Sequence, residues 1–252
     1  MIELIHLKKK FGDFVAVDDI NVYIPKGEFF AVLGPNAAGK TTTIKMITGM
    51  IKPTEGTAKI AGFDIQEQPI EARKKMAYVP DFPFLYDKLT VWEFLKFIGQ
   101  IYEMEESVIV KKTKNLIDLF SLGEFINSRI ENLSHGTKQR VVIVSALLHE
   151  PEVFVIDEPT VGLDPHHSRV LKDILKERSE NGMTVFLSTH QIEIAEELAD
   201  RIGIIDKGKL IAVGTADDLR RQSRNEGSLE SVFITLTSNQ VSSTQVVEDY
   251  KK

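Results

Sequence analysis

The 252-residue sequence predicts an α/β fold: a mostly parallel sheet, an N-terminal antiparallel β subdomain and an inserted helical subdomain. Three observations carry that expectation. Short strand-like runs alternate with helical patterns along most of the chain, as in α/β domains. EFFAVL (28–33) and VFVID (153–157) are almost unbroken apolar runs, as parallel strands buried on both faces require. Between about Asp87 and Leu148 strand patterns vanish, and Ile109, Thr113, Leu116 and Phe120 recur at helical spacing instead.

Taken in order, IELIHL (2–7) and the alternating Ile20, Val22 and Ile24 read as antiparallel strands. EFFAVL follows, then a glycine-bearing loop and the helical stretch TTTIKMIT, which Gly49 stops. In the strandless region Val91, Phe94, Leu95 and Ile98 form a core-facing helix stripe, and Ser134 is a good N-cap shortly before VVIVSALL. Asp164-Pro165 reads as the N-cap and first position of another helix. TVFLS (184–188), IGIID (202–206) and KLIAV (209–213) are further strands, the last two joined by the turn residues Lys207-Gly208. Residues 1–86 and 149–214 are thus expected to form the sheet domain and 87–148 the helical subdomain. Residues 215–252 should supply two short helices and a loose polar tail.

Composition narrows the function. A net charge of −6 makes a bulk polyanion-binding field unexpected, so no nucleic-acid partner is expected. The absence of cysteine excludes disulfides and thiolate metal sites. MIELIHLKKKFGDF lacks the long apolar run of a secretory signal. Apolar stretches elsewhere fall short of the roughly 18 residues that suggest a membrane span. Any membrane role is therefore expected to come through a partner.

The chemistry starts at GPNAAGKTT: Gly34, Pro35, Asn36, Ala37, Ala38, Gly39, Lys40, Thr41 and Thr42. This G-x-x-x-x-G-K-[ST] pattern lies between a strand and a helix, the setting of a P-loop NTPase core. Backbone N–H groups of such a loop wrap phosphates, and the helix N-terminus adds partial positive charge. Lys40 is expected to reach the β- and γ-phosphates of ATP, and the Thr41 hydroxyl to ligate Mg²⁺. VFVIDEPT then places two carboxylates at the carboxyl end of a buried strand, where open α/β sheets hold ligands. Asp157 is expected to hold Mg²⁺ and Glu158 to act as general base on the attacking water. His190 ends the strand TVFLSTH and is a candidate neighbour of the γ-phosphate.

GPNAAGKTT, LSHGTKQR (133–140), VFVIDEPTVGLDP and His190, in that order, resemble the ATP-binding subunit of an ABC transporter. The resemblance covers Ile2 to about Leu236. It implies a head-to-tail dimer, of two copies or of two paralogues, that closes around two Mg·ATP. Phe11 would stack on adenine with Val17 beside it, and Asp81 would stand near Mg²⁺ and the membrane subunit. Ser134 and Gly136 would belong to the signature motif, whose helix N-terminus faces the other subunit's γ-phosphate. Asp164 would belong to the D-loop, and His190 would be the switch histidine. An integral-membrane permease is the implied partner, at the cytoplasmic face of the membrane, with export favoured over import. From the residues themselves, Phe82, Phe84 and Tyr86 follow Asp81 and precede a helix, and are candidates to line a groove for a partner's helix.

The chain departs from the commonest pattern in four places: Ala37 stands for a usual Gly, Asp81 for Gln, LSHGT for LSGGQ, and Phe11 for the more frequent Tyr, which keeps the stacking face and loses only a hydroxyl. Two other classes share the motifs. A soluble ABC-type ATPase working on ribosomes or DNA would usually carry two cassettes with a basic linker, or long coiled-coil insertions. A regulatory module without turnover would have no need of both Glu158 and His190.

Overall fold

The computed structural model describes residues 1–222 and 228–238. In chain order the elements are β1 (Ile2–Phe11), β2 (Phe14–Ile24), β3 (Phe29–Leu33), α1 (Lys40–Ile47), β4 (Glu55–Ile60), β5 (Phe63–Asp64), α2 (Pro69–Lys74) and β6 (Met76–Val79). Next come α3 (Val91–Ile101), α4 (Glu106–Leu119), α5 (His135–Leu148), β7 (Val153–Asp157), α6 (Pro165–Glu180), β8 (Thr184–Thr189) and α7 (Ile192–Leu198). β9 (Arg201–Asp206), β10 (Lys209–Gly214), α8 (Ala216–Gln222) and α9 (Leu229–Ser238) complete the order. The polar tail expected after α9 lies outside the described residues.

Two sheets form. The first is antiparallel, in the order β2-β1-β4-β5. The second runs β10-β9-β3-β8-β7-β6; its strands are parallel except β10, which returns antiparallel on β9. Every residue of β3, β7 and β8 is buried, which is why their sequences read as continuous apolar runs rather than alternations. Period two survives in which core each residue joins. Phe29, Ala31 and Leu33 pack with α3 to α7, whereas Phe30 and Val32 pack with α1 and the antiparallel sheet.

The helices of the strandless region obey their sequence signals. Thr90 and Glu93 close a capping box on α3, and Val91, Phe94 and Leu95 are buried with Ile98 packed against them. Ser134 Oγ accepts the Thr137 N–H at 3.2 Å and starts α5. From 87 to 148 the one pairing among the described residues is an isolated bridge between Thr90 and Arg129. No helix among the described residues is long and apolar enough to cross a membrane.

β4, β5 and β6 have no clear signature in the sequence. EGTAKI has only Ala58 and Ile60 facing the core, and MAYV is four residues long, too little pattern to register.

Candidate functional site

β3 sits between β9 and β8, and its carboxyl end delivers the loop 34–39 to the rim of the sheet. Gly39 opens α1 at φ 107°, and a Cβ there would stand 2.7 Å from the Ala16 carbonyl oxygen, so only glycine fits. No side chain caps α1, which leaves its first amides open to an anion. Ala37 is left-handed, with φ 64°. The departure from Gly at this position therefore carries strain of roughly 1–2 kcal/mol. Lys40 is buried, and its Nζ donates to the carbonyls of Gly34 (2.7 Å) and Pro35 (3.1 Å). Burial pulls the ammonium below its usual pKa, while Glu158 and Asp157 oppose that shift.

The acidic half comes from neighbouring parallel strands, with Asp157 of β7 in register with Ser188 of β8. Asp157 accepts from Ser188 Oγ at 2.5 Å and from Thr41 Oγ1 at 2.8 Å. Burial raises its carboxyl above the ordinary range; those two hydrogen bonds resist, and the charges of Asp81 and Glu158 add to the rise. Glu158, with φ 52°, is left-handed, a costly conformation typical of functional turns. Both its oxygens are held: Oε2 by Thr189 Oγ1 at 3.1 Å and Oε1 opposite His190 Nδ1 at 2.8 Å.

A cleft of about 360 Å³ gathers these parts, lined by Phe14, Ala16, Asn36, Ala37, Ala38, Gly39, Lys40, Thr41, Thr42, Asp81, Asp157 and Glu158. Gly34 and Pro35 stand behind it as carbonyl partners of Lys40, and His190 reaches it through Glu158. Ser134, Gly136 and Asp164 are absent from its wall. Asp164 instead caps α6, accepting from the His167 N–H at 3.0 Å.

Phe14 and Ala16 stand on the cleft wall, and the expected pair, Phe11 and Val17, lies beside them on the same hairpin. Val17 is fully buried, and the Lys9 ammonium lies 5.1 Å above the Phe11 ring. Phe11 and Phe14 are cross-strand partners beside the tight turn, so spacing alone does not choose between them. We expect Phe14→Ala to weaken ATP binding about tenfold, given about 1–3 kcal/mol for stacking one base on an aromatic ring. Phe11→Ala should cost less. Titration with a fluorescent ATP analogue reads both, and a larger loss at Phe11 would keep the platform there. Sequence reasoning also missed Ser188 and Thr189, hydroxyls visible only as the residues before His190.

Fold and cleft together define a P-loop nucleotide-binding ATPase cassette. The family model described as ABC transporter matches residues 17–161, and the chain belongs to that family. A "Probable multidrug ABC transporter ATP-binding protein", YbhF of Escherichia coli (strain K12), is 39% identical over 240 residues, which cover 94% of this chain and 41% of that one. The chain thus spans less than half the length of that relative. The linearmycin resistance ATP-binding protein LnrL of Bacillus subtilis (strain 168) is 39% identical over 219 residues, covering 87% of this chain and 70% of its own. A solved ATP-binding subunit of an ABC transporter superposes with a TM-score of 0.90 at 34% identity, covering 94% of this chain and 99% of that one. A dimeric ATP-binding cassette in a post-hydrolysis state, bound to ADP and Pi, superposes at 0.78 with 28% identity, covering 85% and 98%.

Proposed function

We propose that this chain hydrolyses ATP as one of two cassettes that close around two Mg·ATP and power export through a separate permease, at the cytoplasmic face of the membrane. The observation that supports a composite site is the division of the motifs. The phosphate loop and both carboxylates share one cleft, whereas Ser134, Gly136 and Asp164 lie off its wall. A second cassette, related head to tail, would bring those three residues to this cleft and this chain's three to the other. ATP then joins the halves and hydrolysis releases them.

Hard oxygen donors suit Mg²⁺ here. The Thr41 hydroxyl donates its proton to Asp157, which leaves its lone pairs free to face a cation. Among the described residues no three His, Asp or Glu side chains converge as a metal cage, so the ion would arrive with the phosphates. Thr41 and Asp157 would hold it, with Asp81 at the cleft wall, and it would offset the phosphate charge. Glu158 would take the proton of the attacking water, its orientation fixed by Thr189 and His190. The Lys40 ammonium would exchange its two loop carbonyls for phosphate oxygens.

Export is supported by the multidrug and linearmycin-resistance relatives. For the permease contact we propose Phe82, Phe84 and Tyr86, all exposed, Phe84 at 77%, immediately after Asp81 of the cleft. Phe82 and Phe84 meet edge to face at 6.1 Å, and Tyr86 lies against Phe94 and Phe97 of α3. An apolar face joined to the cleft suits an apolar helix of the membrane subunit. Phe84→Ser should abolish copurification with the permease while the detergent-free cassette keeps its ATPase rate. Retained copurification would discard this surface.

A further inference from the structure

Two turns that lie off the cleft wall are bound to each other inside this chain. One is the first turn of α5; the other is the loop ahead of α6. Their backbones touch: a Cβ at Gly136 would stand 2.7 Å from the Gly162 carbonyl oxygen. The His135 ring covers Gly162 from outside, with Nε2 2.8 Å from where a Cβ would be, and rests on Phe82 at 5.7 Å between ring centres.

A hydrogen-bond chain joins the same turns on a second side. Asp164 Oδ2 lies 2.6 Å from His167 Nδ1, and His167 Nε2 lies 3.1 Å from Arg140 Nη1. The other guanidinium nitrogen, Nη2, donates to Thr137 Oγ1 at 3.2 Å, which is 2.9 Å from Ser134 Oγ. Arg140 Nη1 is further anchored by the carbonyls of Phe120 (2.8 Å) and Ser121 (3.2 Å). So five side chains link the D-loop carboxylate to the signature N-cap.

The proton positions follow by elimination. Bonds from His167 hold the Asp164 carboxyl down to about 2, so it only accepts. A guanidinium only donates. The buried imidazole between them must then carry its proton on Nδ1 and accept at Nε2. The His166 ring lies beside it, 5.1 Å away and edge-on.

We propose that His167 and Arg140 are positioning residues that lock the Asp164 loop to the signature turn, so that both are presented as one rigid surface to the second cassette's nucleotide. This rests on the composite-site reading above. Neither residue lines the cleft, so neither should set how tightly this chain holds its own ATP.

His167→Asn keeps a short amide for Asp164 but cannot reach Arg140; His167→Gln reaches both. Steady-state ATPase of the full chain is measured for wild type, both variants, Ser134→Ala and the His167→Asn/Ser134→Ala double. The expected result is about a tenfold drop in kcat for His167→Asn, the scale of one lost charge-assisted hydrogen bond, with KM for ATP unchanged. His167→Gln should restore turnover, and the double should be no slower than its slower parent, because one linkage is being cut twice. Wild-type kcat in His167→Asn, failure of Gln to rescue, or multiplying losses in the double would each overturn the proposal. A wild-type chain that neither dimerises with ATP nor turns it over would sink the composite site itself, and this inference with it.

Discussion

A Glu158→Gln chain is expected to bind ATP, dimerise and stall. Glutamine keeps the size of the side chain and can still bond Thr189 and His190, which hold the two Glu158 oxygens at 3.1 and 2.8 Å. What it loses is the ability to take a proton. General-base assistance contributes about 10²–10⁴-fold, so kcat should fall by that factor. The phosphate cradle is built from other residues, and affinity for ATP should stay within about twofold. On the proposed cycle, in which binding joins the halves and turnover separates them, the variant should accumulate as an ATP-dependent dimer at concentrations where wild type is monomeric. Phosphate release and size-exclusion chromatography with ATP give the two readings. Undiminished turnover would remove Glu158 from the chemistry and leave the ABC-family cleft without its base. The left-handed backbone at Glu158 makes the choice of glutamine matter: a β-branched replacement would strain the turn and confuse a chemical loss with a structural one.

Some of this was open to reading from residue order because it is local. Nine consecutive residues make the phosphate loop, and its position after an apolar strand fixes the rim of the sheet as its place. Asp157 and Glu158 were equally legible, as carboxylates closing a buried strand. The support around them was not. Ser188 reaches Asp157 only because β7 and β8 pair in one particular register, and register between strands 31 residues apart leaves no local trace. The choice between Phe11 and Phe14 as the stacking ring is hidden for the same reason, since both flank one turn and only the path of the hairpin decides which meets the nucleotide. His167 has no local mark in the sequence, because Arg140 comes to it from another helix.

Acid should loosen the helical region from the sheet, through a histidine that carried no signal at all in the sequence. His149 follows α5, stacks on Tyr102 at 3.6 Å between ring centres, and lies 3.3 Å from the Met76 carbonyl oxygen at the start of β6. Its Nδ1 is buried without a partner, so Nε2 carries the proton toward Met76 and the ring is neutral. Burial lowers the imidazole from 6.5 to about 4, with the Met76 bond opposing the shift. A depressed folded pKa means that the unfolded chain takes the proton first. The stability this ring supports is whole above pH 6.5 and is lost progressively as pH falls to about 4, about 3 kcal/mol in all. His149→Phe keeps the stacking and cannot titrate, and at pH 7.5 the loss of one hydrogen bond is offset by removal of the orphaned nitrogen. Urea midpoints for the two chains should therefore agree near pH 7.5 and separate below pH 6, the variant falling less. Parallel decline of both would assign the acid sensitivity to the carboxylates. Since α5 begins at Ser134 and ends against β6 through His149, the same protonation should slacken the signature turn before the chain unfolds, and ATP-driven dimerisation should fail at a higher pH in wild type than in His149→Phe.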